Sequence, residues 1–135
     1  MNSNVLRGLE TAREMLSSPY KWTQGAARRD KYGDPIWQGS PIPVCRRCLS
    51  AAITDAALQV TDDGRSAAYM GAVNGMHDAL AATGFAGPPG LKARLRQSMA
   101  TPVHCTVEAN DWRNTTHYHV LRWLDKAIER ARGAK

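Results

Sequence analysis

Two close-spaced pairs, Cys45-x-x-Cys48 and His117-x-His119, are the residues of this chain that could gather a metal ion. A zinc site needs four ligands converging tetrahedrally, and structural sites favour two such pairs. On a helix, Cys45 and Cys48 would share a face, but His117 and His119 would point about 200° apart. The spacing therefore predicts no metal and no cofactor, with both cysteines acting as small buried hydrophobes. Cys48 carries a second chemistry. A thiol at the front of a helix is acidified by the free N–H groups there, and a histidine could serve as its base. His77, His104, His117 and His119 are the candidates, with Asn110 or Asp111 to orient one of them. No thiol-enzyme signature surrounds Cys48, so a cysteine-dependent enzyme stands as an alternative to a core cysteine.

A polar, Trp-rich group comes next: Trp22, Gln24, Arg29 and Asp30 in one segment, Asn110 and Asp111 in another. Arg29 offers a planar donor fork suited to carboxylate or phosphate. A helix starting near Asn114–Thr116 would aim free N–H groups at the same place. These six residues are the candidate ligand-binding set, expected to meet between a hairpin and the last helix, edged by Trp22 and Trp112. The plainer alternative is that they cap helices and close turns, a role worth about 1 kcal/mol per residue.

The elements that must position these residues are mostly helical. Val5, Leu9, Ala12 and Leu16 form one amphipathic stripe, ended by Ser17-Ser18-Pro19. Residues 20–40 show no helical period but hold two Trp and a turn-like Asp30-Lys31-Tyr32-Gly33-Asp34-Pro35, which predicts a small hairpin or ordered loop. Val44–Val60 is apolar on most faces and reads as the central helix. Thr61-Asp62-Asp63 reads as the next helix start, with Tyr69, Val73, Met76 and Leu80 as its stripe. Leu91, Leu95 and Met99 suggest a short helix, and alternating Val103, Cys105 and Val107 a short strand. Val120, Leu124, Ala127, Ile128 and Ala131 line the last helix. The expected architecture is one mainly α domain over 1–135, a compact bundle of four or five helices with the hairpin inserted. The helices at 69–80 and 120–131 should pack on the central one.

Three segments resemble an uncharacterised bacterial and phage family, domain of unknown function 6197. They are Trp22-Thr23-Gln24-Gly25-Ala26 with Arg29-Asp30 and Gly33, then Cys48-Leu49-Ser50-Ala51-Ala52-Ile53, then Asn110-Asp111 leading into Val120, Leu124, Asp125, Ala127 and Ile128. Ala51 stands where that family has Gly, and Ala109 where it has Trp. The resemblance implies a small single domain encoded by phages or their hosts, and no known activity.

Composition narrows the partners. A formal charge of +6 draws acidic partners through long-range potential without choosing among them. No apolar run is long enough to span a membrane. Three cysteines, and no basic-then-apolar order over Met1–Glu10, predict reduced thiols and a cytoplasmic setting. Twenty alanines dilute the 43% hydrophobic content, but four Trp and five Met add large apolar surface, so the chain reads as a folded domain. The leading functional expectation is a non-enzymatic binding protein, a phage or mobile-element accessory factor for host interaction or anti-defence. Its partner would be an acidic protein surface or a small anionic ligand. A nucleic-acid-binding module is the alternative. The sequence leaves the oligomeric state open.

Overall fold

A computed structural model describes residues 3–98 and 101–133. Six α-helices occur among them: α1 (Ser3–Met15), α2 (Leu49–Thr61), α3 (Ala67–Ala81), α4 (Leu91–Gln97), α5 (Pro102–Asp111) and α6 (His117–Gly133). One antiparallel pair, β1 (Arg28–Arg29) with β2 (Arg46–Arg47), lies between α1 and α2. The mainly helical bundle with a small hairpin follows the sequence expectation. The inserted segment runs on to residue 47, because β2 is its second strand.

The core is built on the stripes. Leu9, Leu16, Leu49, Ile53, Met76, Leu80, Val120 and Leu124 are fully buried. Phe85 and Trp123 meet edge to face at 5.1 Å and supply the bulk that the alanine-rich helices lack. Helices α1 and α3 approach closely because both are notched. A methyl group on Gly75 would come 2.5 Å from Val5 Cγ2, and one on Gly8 would come 2.5 Å from Met76 Sδ.

Four local expectations change. The helix placed at Val44–Val60 begins only at Leu49, since Arg46 and Arg47 pair with β1 and Cys48 is the N-cap. Residues Thr61–Asp63 end α2 rather than start α3. Asp62 sits in the left-handed region as the C-cap, and the N-cap of α3 is Ser66, whose hydroxyl accepts from Tyr69 N. The strand expected at Val103–Val107 is part of α5. Thr101 caps that helix, Pro102 pre-sets its first turn, and the apparent alternation was too short to decide the period. Finally, α6 rests mainly on α1 and α3, with α2 held against α1, α3 and α5. Met99, expected on the α4 stripe, lies outside the described residues.

Candidate functional site

Asn110 closes α5 and is completely buried. Its Oδ1 accepts from Trp22 Nε1 at 2.7 Å and from Leu49 N at 3.0 Å. Its Nδ2 donates to Thr23 O at 3.1 Å and to Asp111 Oδ1 at 2.9 Å. All four hydrogen-bonding positions of the carboxamide are filled, and they join the hairpin, the first turn of α2 and the end of α5. Gln24 works beside it. Its Nε2 donates to Asn110 O at 2.8 Å and to Trp112 O at 3.0 Å, covering carbonyls that the end of α5 leaves free. Asp111 Oδ1 also accepts from Gly25 N at 3.1 Å.

The structure thus brings Trp22, Gln24, Asn110 and Asp111 together, as expected. Arg29 is adjacent, but its guanidinium is engaged internally: Nε to Thr23 Oγ1 at 2.7 Å, Nη1 to Gly33 O at 2.9 Å and Nη2 to Gln24 O at 3.1 Å. Those bonds brace the hairpin and leave no free fork for an anion. Asp30 stands apart, with Oδ1 accepting from Tyr32 N and Asp34 N to close the turn at Gly33. Trp112 turns away toward the 84–90 loop, where its indole N–H donates to Pro89 O at 2.8 Å.

A cleft of about 350 Å³ lies next to this network. Gly25, Ala26, Gln38, Cys48, Asn110 and Asp111 are among its lining residues. It sits between the hairpin, the N-terminus of α2 and the end of α5, not at the start of α6. Here His117 Nε2 meets Leu16 O, while His119 Nδ1 accepts from Thr116 N, so the two rings serve separate local contacts.

Cys48 Sγ accepts from Ala51 N at 3.3 Å as the cap of α2. Burial pushes its thiol pKa up and the nearby Asp111 carboxylate adds to that, outweighing the helix N–H groups. That is the reverse of what a thiolate nucleophile needs. Cys45 precedes β2 and is exposed, so the two cysteines share no helix face. Among the described residues, no three His, Cys, Asp or Glu side chains are gathered where a metal ion could be held. Limited alkylation at neutral pH should label Cys45 first and Cys48 only after unfolding, as read by peptide mass spectrometry. Faster labelling of Cys48 than of Cys45 would restore the nucleophile.

One group escaped the sequence reading. Asp55 on α2 takes Arg28 Nε at 3.0 Å and Arg47 Nε at 2.7 Å, so a carboxylate clamps both strands of the hairpin to the helix. Burial alone would raise the Asp55 pKa, but the two guanidinium groups prevail and hold it below the usual carboxylate range. The available signal was the single acidic residue of α2, with an Arg pair in each of the two strands.

The family model described as "Family of unknown function (DUF6197)" matches residues 1–130. The chain belongs to this family. No curated protein and no solved structure matches it. The three DUF6197-like segments named above are the ones that the Asn110 network ties together: Trp22–Gly25, the start of α2, and Asn110–Asp111. In this chain Trp22, Gln24, Asn110 and Asp111 thus do structural work at one junction. No described helix is long and apolar enough to cross a membrane.

Proposed function

We propose that this DUF6197 protein is a non-enzymatic binding protein that engages an acidic protein surface through its hairpin. The observation that carries the reading is Trp37, whose side chain is 87% exposed. Tryptophan contributes more than most residues at protein interfaces and is costly to leave in water. Tyr32 and Ile42 on the same excursion are also exposed, and a mostly apolar pocket of about 160 Å³ opens between Asp30, Lys31, Tyr32, Ile42, Pro43 and Cys45. The excursion is held firmly enough to present these groups. Ile36 N donates to Arg28 O at 3.0 Å, Cys45 N to Arg29 O at 2.9 Å, and Asp30 closes the turn.

Charge selects the partner. Of the six basic side chains in residues 20–47, Arg28 and Arg47 are held by Asp55 and Arg29 braces the hairpin, which leaves Lys21, Lys31 and Arg46 beside Asp30 and Asp34. Lys31 lies over the Tyr32 ring at 5.1 Å, placing a cation among the exposed apolar groups. A small anion in the Asn110 cleft is the weaker occupant. Asp111 lines that cleft, and Arg28 is already neutralised by Asp55. A phage or mobile-element accessory role in a cytoplasm fits the DUF6197 resemblance and the thiol content.

The test is a quantitative pull-down from host lysate with wild type and Trp37→Ser as baits. The expected result is a set of acidic proteins retained by wild type and reduced at least tenfold with Trp37→Ser, at unchanged melting temperature. Retention indifferent to Trp37, or abolished by nuclease, overturns the reading.

A further inference from the structure

We infer that the outer face of α6 is a second binding surface, one that takes a single-stranded nucleic acid along its phosphate backbone. The observation is a row of side chains four residues apart, Tyr118, Arg122, Lys126 and Arg130, all exposed on one helix. Four residues of α-helix advance about 6 Å, a step comparable to that between successive phosphates of a strand. One neighbouring cation of α6 is neutralised, since Arg132 pairs with Glu10, and the α6 carboxylate Asp125 is taken by Arg13 of α1. By contrast, Arg122, Lys126 and Arg130 make no ion pair among the described residues. Three positive charges are thus left in water on one line.

The row borders concave surface. Arg122 and Lys126 flank a recess of about 130 Å³ at Ala86–Gly87. Lys126 and Arg130 line a wider groove of about 470 Å³ against Ala82 and Thr83 at the end of α3. Beyond that end, Lys92 and Arg96 of α4 border a third recess of about 330 Å³ with Gly84 and Phe85. Cations therefore follow the grooves on both sides of the α3 terminus. Glu129 is the one acidic side chain lining the α6 groove.

Tyr118 argues for a single strand over a duplex. Its ring is 63% exposed at one end of the row, with the Arg122 guanidinium 5.7 Å from its centroid. An exposed aromatic beside a line of cations can stack an unpaired base while the cations follow the backbone. Paired bases in a duplex offer no such face. This surface shares no residue with the hairpin, so it stands or falls independently of the protein-docking reading.

The probe is a fluorescent, mixed-sequence DNA of about 12 nucleotides, single-stranded or annealed, read by polarisation. Wild type should bind the single strand at low salt. Its log K should fall with log salt at a slope of about −2, as three neutralised phosphates on a single strand imply. Arg122→Gln/Lys126→Gln/Arg130→Gln should lose at least tenfold in affinity with unchanged helicity and flatten the slope. Tyr118→Ala should weaken the single strand and leave duplex binding unchanged. Glu129→Gln, which keeps every cation, should tighten binding about twofold by removing the one opposing charge. It serves as the independent check if the triple variant fails to fold. No binding at about 50 mM salt, affinity indifferent to the triple variant and to Glu129→Gln, or a duplex bound more tightly than the strand would each overturn the inference.

Discussion

Asn110→Ala is expected to remove about 3 to 4 kcal/mol of stability, well above the cost of a lost helix cap. The truncation deletes four hydrogen bonds at once and strands three partners: Trp22 Nε1, Leu49 N and Thr23 O. A buried donor or acceptor left without a partner costs about 1 to 3 kcal/mol, and water has poor access to a residue with no exposed surface. Leu49 N belongs to the first turn of α2, so the loss also loosens the tie of that helix to the end of α5. Asn110→Asp retains the accepting oxygen but loses the donor and places a second carboxylate beside Asp111, so it should not restore stability. Gln24→Ala removes donors to carbonyls at the α5 end and should cost about 1 kcal/mol. Urea denaturation followed by circular dichroism measures all three. A loss near 1 kcal/mol for Asn110→Ala would reduce the residue to a simple cap.

That ranking explains what the sequence made legible. The buried stripes of α1, α3 and α6 repeat with the helical period, and Val5, Leu9, Met76, Leu80, Val120 and Leu124 are all in the core. Convergence of Trp22 and Gln24 with Asn110 was readable because polar and Trp-rich residues fell outside every stripe. Their roles were not readable, since a carboxamide that binds a ligand and one that saturates backbone groups look alike in a sequence. Only the partners of Arg29 show that its fork is occupied. The start of α2 was misplaced for a similar reason. Val44, Cys45, Cys48 and Leu49 flank Arg46-Arg47 at a spacing that a helix could use, and nothing local marks that Arg28–Arg29 will claim Arg46–Arg47 from across the chain. Tertiary pairing overrode the local pattern there, as the Thr101-Pro102 helix start overrode the alternation of Val103, Cys105 and Val107.

The second large effect is acid sensitivity centred on His77. This α3 side chain is 1% exposed, and its Nδ1 lies 3.0 Å from Thr106 Oγ1 on α5. The Thr106 hydroxyl proton goes to Pro102 O at 2.8 Å, so the oxygen accepts from His77 and the neutral ring carries its proton on Nδ1. Burial lowers the His77 pKa from its ordinary value to about 4, against a weaker pull upward from Asp78. Between about pH 6.5 and pH 4 the unfolded chain therefore binds a proton that the folded chain refuses. The contribution of neutral His77 is complete above about pH 6.5, declines as the pH falls, and is gone at about pH 4, a total of about 3 kcal/mol. Asp55 acts in the same sense but lower. Its carboxyl is held below the usual range, so its contribution is lost only as the pH falls below about 4. The two windows are separable. His77→Gln should flatten stability between pH 6.5 and 4 while leaving the steeper loss below pH 4, as read from urea midpoints across that range. An unchanged slope in His77→Gln would show that the ring is already protonated in the folded protein.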